Sequence, residues 1–139
     1  TKRVDHPSMV GAYGFVPPTP LIDPEIMSAT LTSVKENWDW ESTWGWDYPL
    51  LAMCAARLGR PKDAVDFLLM ETSKNVYLPN GHNRQKPTRL QLYLPGNGGL
   101  LMAIAMMAGG WDGAPDRPAP GFPADGTWTV RAEGFLPMP

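Results

Sequence analysis

The chain is predicted to be all-α, and three observations carry that prediction. Capping residues recur just ahead of apolar stretches, and the apolar side chains within those stretches repeat at helical spacing. Only residues 127–136 (TWTVRAEGFL) alternate even partly as a strand would, which predicts a single terminal strand or an extended tail. At 139 residues the chain has the length of one domain, 1–139, and can bury a core. Proline and glycine are abundant, 16 and 14 residues, yet they punctuate apolar segments instead of forming a low-complexity tract. The expected architecture is two helix hairpins joined by long Pro/Gly-rich loops.

Residues 1–22 hold Pro7, Pro17, Pro18 and Pro20 and read as an extended lead-in. A first helix follows, with Asp23 placed to cap it, Pro24 at its first position and Glu25 complementing the dipole. Met27, Leu31, Val34 and Trp38 form its apolar stripe. A second helix starts after Asp47-Tyr48-Pro49 and runs through small residues to Leu58, with Gly59 as its stop. Pro61 opens a third helix, with Ala64, Val65, Leu68 and Leu69 inward and Lys62, Asp63 and Asp66 outward. The two residues Arg60-Pro61 leave room only for a tight antiparallel hairpin. A fourth helix is expected over 98–108, capped by Asn97. Being apolar nearly all round, it is expected to be enclosed by other structure. Residues 109–126 are expected to be irregular.

Charge and composition narrow the partners. With 12 basic and 14 acidic residues the formal charge is -2 and there is no basic stripe, which argues against nucleic acid as a partner. The longest apolar run, Leu100 to Ala108, is too short to cross a bilayer, so no membrane partner is expected. No charged region followed by a hydrophobic stretch opens the chain. Only Cys54 is present, so no intrachain disulfide can form. His6 and His82 lack a paired-ligand spacing, so neither a metal nor another cofactor is expected.

The stretch with chemical content is Trp38-Asp39-Trp40-Glu41-Ser42-Thr43-Trp44-Gly45-Trp46-Asp47. All four indoles fall at even positions and all three acids at odd ones, so an extended run would face rings one way and carboxylates the other. Flat aromatic faces cover the apolar C–H patches of a pyranose, while acids accept hydroxyl protons or exchange protons with the glycosidic oxygen. Core packing is the competing use of the indoles. About 25 residues separate the third and fourth helices, far more than an ordinary connection, and loops of that length are commonly functional or disordered. This one carries Asn80-Gly81-His82-Asn83-Arg84-Gln85, groups able to bind a hydroxylated ligand or simply to build a solvated turn.

Three motifs, Trp44-Gly-Trp-Asp-Tyr-Pro49, Ala52-Met-Cys-Ala-Ala-Arg-Leu-Gly59 and Tyr93-Leu-Pro-Gly-Asn-Gly-Gly-Leu100, resemble the C-terminal part of (α/α)6-toroid glycoside hydrolases, the family 95-like and family 65-like bacterial enzymes. The resemblance runs from Asp5-His6-Pro7 to Gly134. It implies inner and outer helices around an axial sugar pocket, with acids on the loops at one end. A complete toroid has six helix pairs, so the chain reads as about the last third of one, a C-terminal fragment whose inner-helix face is open to self-association. Full-length relatives of this kind are secreted or periplasmic. In the family-like turn before the fourth helix an aspartate helps activate water. Pro95 stands there in this chain, so that role does not carry over.

The candidate catalytic carboxylates are therefore Asp47, Glu41 and Asp39, with helix capping as the competing role of Asp47. Trp40, Trp44 and Trp46 are the candidate sugar platform, and His82, Asn83 and Asn97 the candidate hydroxyl-binding groups. The site is expected where segment 38–47 meets the 79–97 loop. Three functions stay open: part of a glycoside hydrolase acting by acid/base catalysis on a saccharide, a non-catalytic carbohydrate-binding piece, and a structural helical interaction module.

Overall fold

The computed structural model describes residues 2–139, so residue 1 of the expected lead-in and domain lies outside the described residues. Four α-helices make up most of the regular structure: α1 (Pro24–Asn37), α2 (Asp47–Arg57), α3 (Pro61–Leu68) and α4 (Leu94–Gly109). A two-stranded antiparallel sheet, β1 (Val76–Tyr77) with β2 (Asn83–Arg84), sits between α3 and α4, so the chain is mostly helical but not purely all-α.

α2 is the centre of the molecule. Every residue from Asp47 to Ala56 is buried, because α3, α4 and the 3-10 turn Ser8–Tyr13 all pack on it. Its small side chains permit that. Gly14 lies so close that a β-carbon there would stand 2.5 Å from the Cys54 backbone nitrogen. α1 is capped as the sequence predicts: the Asp23 carboxylate accepts the backbone N–H groups of Glu25 and Ile26. Its buried stripe is Met27, Leu31 and Val34. The α2–α3 hairpin also forms, with Gly59 in the left-handed region at φ +70°.

Several expectations need correction. The lead-in is not wholly extended, since residues Ser8–Tyr13 coil into a 3-10 turn with Val10 buried. In α3 the inward residues are Ala64, Val65 and Phe67, while Leu69 is exposed. Asp63 turns toward α1, where it pairs with Lys35 and Arg60. A second hairpin and a closed environment for the fourth helix are not seen: α4 packs one side on α2 through Ala103, Met106 and Met107 and leaves Leu94, Leu101 and Ile104 exposed. α4 also starts earlier, at Leu94, because Pro95 suits the first turn of a helix.

The tail 127–136 forms no strand. Pairing falls instead at Met138, whose backbone bridges Trp111 and exchanges bonds with Gly110 and Asp112. Residues 110–126 are irregular as expected and held by Arg117, which donates to the carbonyls of Ala119, Pro120 and Phe122.

Candidate functional site

The tryptophan segment is not extended. Asp39 accepts the Glu41 N–H and opens a 3-10 turn over Trp40–Ser42, so the two-residue side-chain period is broken and the rings divide into two groups. Trp38 and Trp40 pack against the core, Trp40 with its ring centre 6.0 Å from Tyr48 and 6.4 Å from Phe67. Trp40 is thus partly buried against the core, apart from Trp44 and Trp46. Trp44 and Trp46 go to the other side, where they meet His6, at centroid distances of 6.3 and 5.1 Å.

His6 reaches this position because the N-terminal arm is tied down along 38–42. Arg3 O accepts the Asp39 N–H, Asp5 N donates to Ser42 Oγ, and Asp5 O accepts from Trp38 Nε1. Asp5 adopts a left-handed conformation, φ 66°, which an aspartate tolerates better than most side chains. The next residue, His6, then faces Asp47, with Nδ1 at 3.0 and 3.1 Å from the two carboxylate oxygens.

Asp47 does not cap α2 by accepting a downstream N–H. Its Oδ2 accepts the upstream Trp44 N–H at 2.7 Å, and the side chain is fully buried. Burial pushes its carboxyl above the usual carboxylate range, against the opposing pull of the Trp44 N–H and His6. From that position Asp47 orients His6 and fixes the Trp44 backbone, and it presents no oxygen to a ligand. Trp46 Nε1 lies 3.0 Å from the same His6 Nδ1. That nitrogen serves Asp47 as a donor or Trp46 as an acceptor, so the tautomer of His6 decides which of the two it holds. Its Nε2 lies toward solvent, 3.5 Å from Asp5 Oδ1.

Glu41 is exposed and accepts from the Ser73 hydroxyl, while Asp39 is exposed and occupied as the cap of the 3-10 turn. Each of the three candidate carboxylates therefore has a partner within the protein.

Segment 38–47 does meet the 79–97 loop. The junction is a set of buried amides. Asn83 is fully buried, donating from Nδ2 to the carbonyls of Val76 and Lys74 and accepting from Gln85 Nε2 at Oδ1. Gln85 also accepts the Gly45 N–H at 2.9 Å. A β-carbon at Gly45 or Gly96 would fall 1.9 or 2.1 Å from Asn83 Oδ1, so only glycine fits on either side. Asn97 does not cap α4; it accepts the Asn83 N–H and donates to Gly81 O, stapling the β-turn to the helix. His82 lies in that turn, its N–H donated to Asn80 Oδ1. Asn83 and Asn97 are thus spent on the fold, and their partners explain why: a loop brought this close to α2 must satisfy its backbone internally.

What this junction delivers to the surface is Tyr93 and Lys74. Tyr93 packs on Trp44 at 5.5 Å between ring centres, its phenol pushed up by burial and by the Asp47 charge. Lys74 Nζ stands 5.2 Å from the centre of the Trp44 ring. Trp44, Lys74, Tyr93 and His6 are all half-buried, and Trp46 is 37% exposed beside them. Sequence reasoning did not single out His6, Lys74 or Tyr93 as site residues. Asp5-His6-Pro7 carried a signal as the first motif of the resemblance, but nothing local marks a partner 41 positions away. Among the described residues no group of three or more His, Cys, Asp and Glu side chains could hold a metal ion. No family model, curated protein or solved structure matches this chain.

Proposed function

We propose that this chain supplies a saccharide-binding surface made of Trp44, Trp46, Tyr93, His6 and Lys74, of the kind a toroid glycoside hydrolase carries beside its pocket. The observation that carries this reading is the set of rings gathered about His6 and Trp44 with hydrogen-bonding groups at their edges. An indole and a phenol cover sugar C–H faces, and the imidazole Nε2 and the phenol hydroxyl exchange bonds with sugar hydroxyls. The motif resemblance supports the same reading, since Trp44–Pro49 and Tyr93–Leu100 are the segments that build this surface.

Binding is better supported than hydrolysis by this chain. A pair of glycosidase carboxylates must flank the scissile bond, and Asp47 is sealed while Glu41 is held by Ser73. Asp47 acts here as a positioning residue for His6, and the acids of a hydrolase would come from a longer protein. Calorimetric titration with gluco-, xylo-, manno- and galacto-configured oligosaccharides and their acidic counterparts tests the surface. Trp46→Ala is expected to weaken the binding seen by roughly tenfold, the equivalent of about 1.4 kcal/mol, at unchanged thermal stability. Binding unaffected by that change would remove Trp46 from the surface.

A further inference from the structure

Lys74 is held in place by its own backbone. Its carbonyl accepts from Gln85 Nε2 at 3.0 Å and from Asn83 Nδ2 at 3.4 Å, and both amides are buried. That clamp fixes where the side chain starts, and the ammonium ends over the Trp44 ring. An ammonium is attracted to an indole face but keeps hydrogen-bond donors free beyond it.

The charges around it are unequal in their satisfaction. Asp47 is bonded to His6 and the Trp44 N–H, and Glu41 to the Ser73 hydroxyl. Lys74 itself forms no salt bridge among the described residues, and its ammonium is placed by the Trp44 ring instead. The surface therefore offers a cation positioned beside the Trp44 ring and engaged in no salt bridge. A neutral pyranose laid on that face of Trp44 would have to displace the ammonium from a ring that attracts it. An anionic sugar instead supplies the ammonium with the partner it lacks.

We infer that this surface takes an acidic saccharide, whose carboxylate or sulfate pairs with Lys74 Nζ while its ring lies against Trp46 and the edge of Trp44. The inference rests on the saccharide reading above and specifies its ligand class. Lys74 is the residue that selects; Tyr93 and His6 donate to hydroxyls and do not need the charge.

The test compares matched probes on the 139-residue chain. The carboxylate arm is an oligogalacturonate and its fully methyl-esterified form. The sulfate arm is a carrageenan oligosaccharide and its desulfated form, and neutral gluco-, xylo-, manno- and galacto-oligosaccharides complete the panel. In at least one arm the charged member is expected to bind about tenfold more tightly than its neutral partner at low salt. That preference should shrink as added salt screens the pair. Lys74→Met should abolish the preference, so that the charged and neutral members of the responding pair bind alike. Lys62→Met, at an exposed lysine paired with Asp66, should leave the preference intact. The arm that responds identifies the anion. Neutral sugars binding as tightly as charged ones, or a preference that survives Lys74→Met, overturns the acidic-sugar inference while the saccharide surface stands. No binding by any member overturns both.

Discussion

Asp47 illustrates how a residue type suited to chemistry is used for position instead. A carboxylate with no exposure, bonded to one backbone N–H and one imidazole, has its lone pairs occupied by the protein. Its raised pKa sets the sign of its pH dependence. Ionisation is harder in the fold than in the unfolded chain, so this group's contribution is fully present below the ordinary carboxylate range and is lost as pH rises through the raised value. Asp47→Asn removes the ionisable group, so denaturation curves across that range are expected to show a flatter decline than the parent protein. An identical decline would mean that Asp47 ionises as easily folded as unfolded. Asn83 is the second decisive residue. Asn83→Ala takes a donor from the Val76 carbonyl and an acceptor from Gln85 Nε2 and opens a void between Gly45 and Gly96, and is expected to lower stability by about 2–4 kcal/mol in urea unfolding. A change below about 0.5 kcal/mol, the range of neutral surface substitutions, would contradict the account of the junction.

At the scale of elements, the helices joined by side-chain charges behave oppositely to the Asp47 site. Burial alone would push the Asp63 carboxyl up, but Lys35 of α1 and Arg60 at the start of α3 hold it below the usual range. Its contribution is therefore present above the unfolded pKa and fades as pH falls through the lowered folded value. Asp63→Asn is expected to cost at most about 1 kcal/mol at neutral pH, since the pair is partly solvated, and nothing in acid. Thermal melts at the two pH values check this, and an equal loss at both would show that the effect is not electrostatic. The helices themselves were largely legible in the sequence: Asp23 and Pro24 start α1, and Gly59 turns the chain after α2, because caps and stops act through neighbours in the chain. The division of the tryptophans was not legible, since it depends on the 3-10 turn that Asp39 starts and on Tyr48 and Phe67 receiving Trp40. The site was half legible. Local pattern singled out Trp44 and Trp46, whereas His6 and Lys74 arrive through long-range bonds that no local pattern encodes.

Across the whole molecule, the apolar surface is unevenly covered. α2 is sheathed on all sides, while α4 leaves Leu94, Leu101 and Ile104 uncovered, with Leu101 at 71% exposure. Such a face favours association with another apolar surface. Sedimentation is expected to show a mass that rises with concentration, and Leu101→Glu is expected to shift the chain back to monomer. A parent protein that stays monomeric at every concentration would contradict this. The central claim is that the saccharide meets Trp44 and Trp46 and not the other indoles. The most direct measurement is a two-dimensional NMR titration following the six indole N–H resonances as oligosaccharides are added. The account predicts that Trp44 and Trp46 shift and saturate together, while Trp38 and Trp40, committed to Asp5 and the core, stay where they are. Shifts confined to Trp111 or Trp128, or no shift with any sugar in the panel, would contradict it.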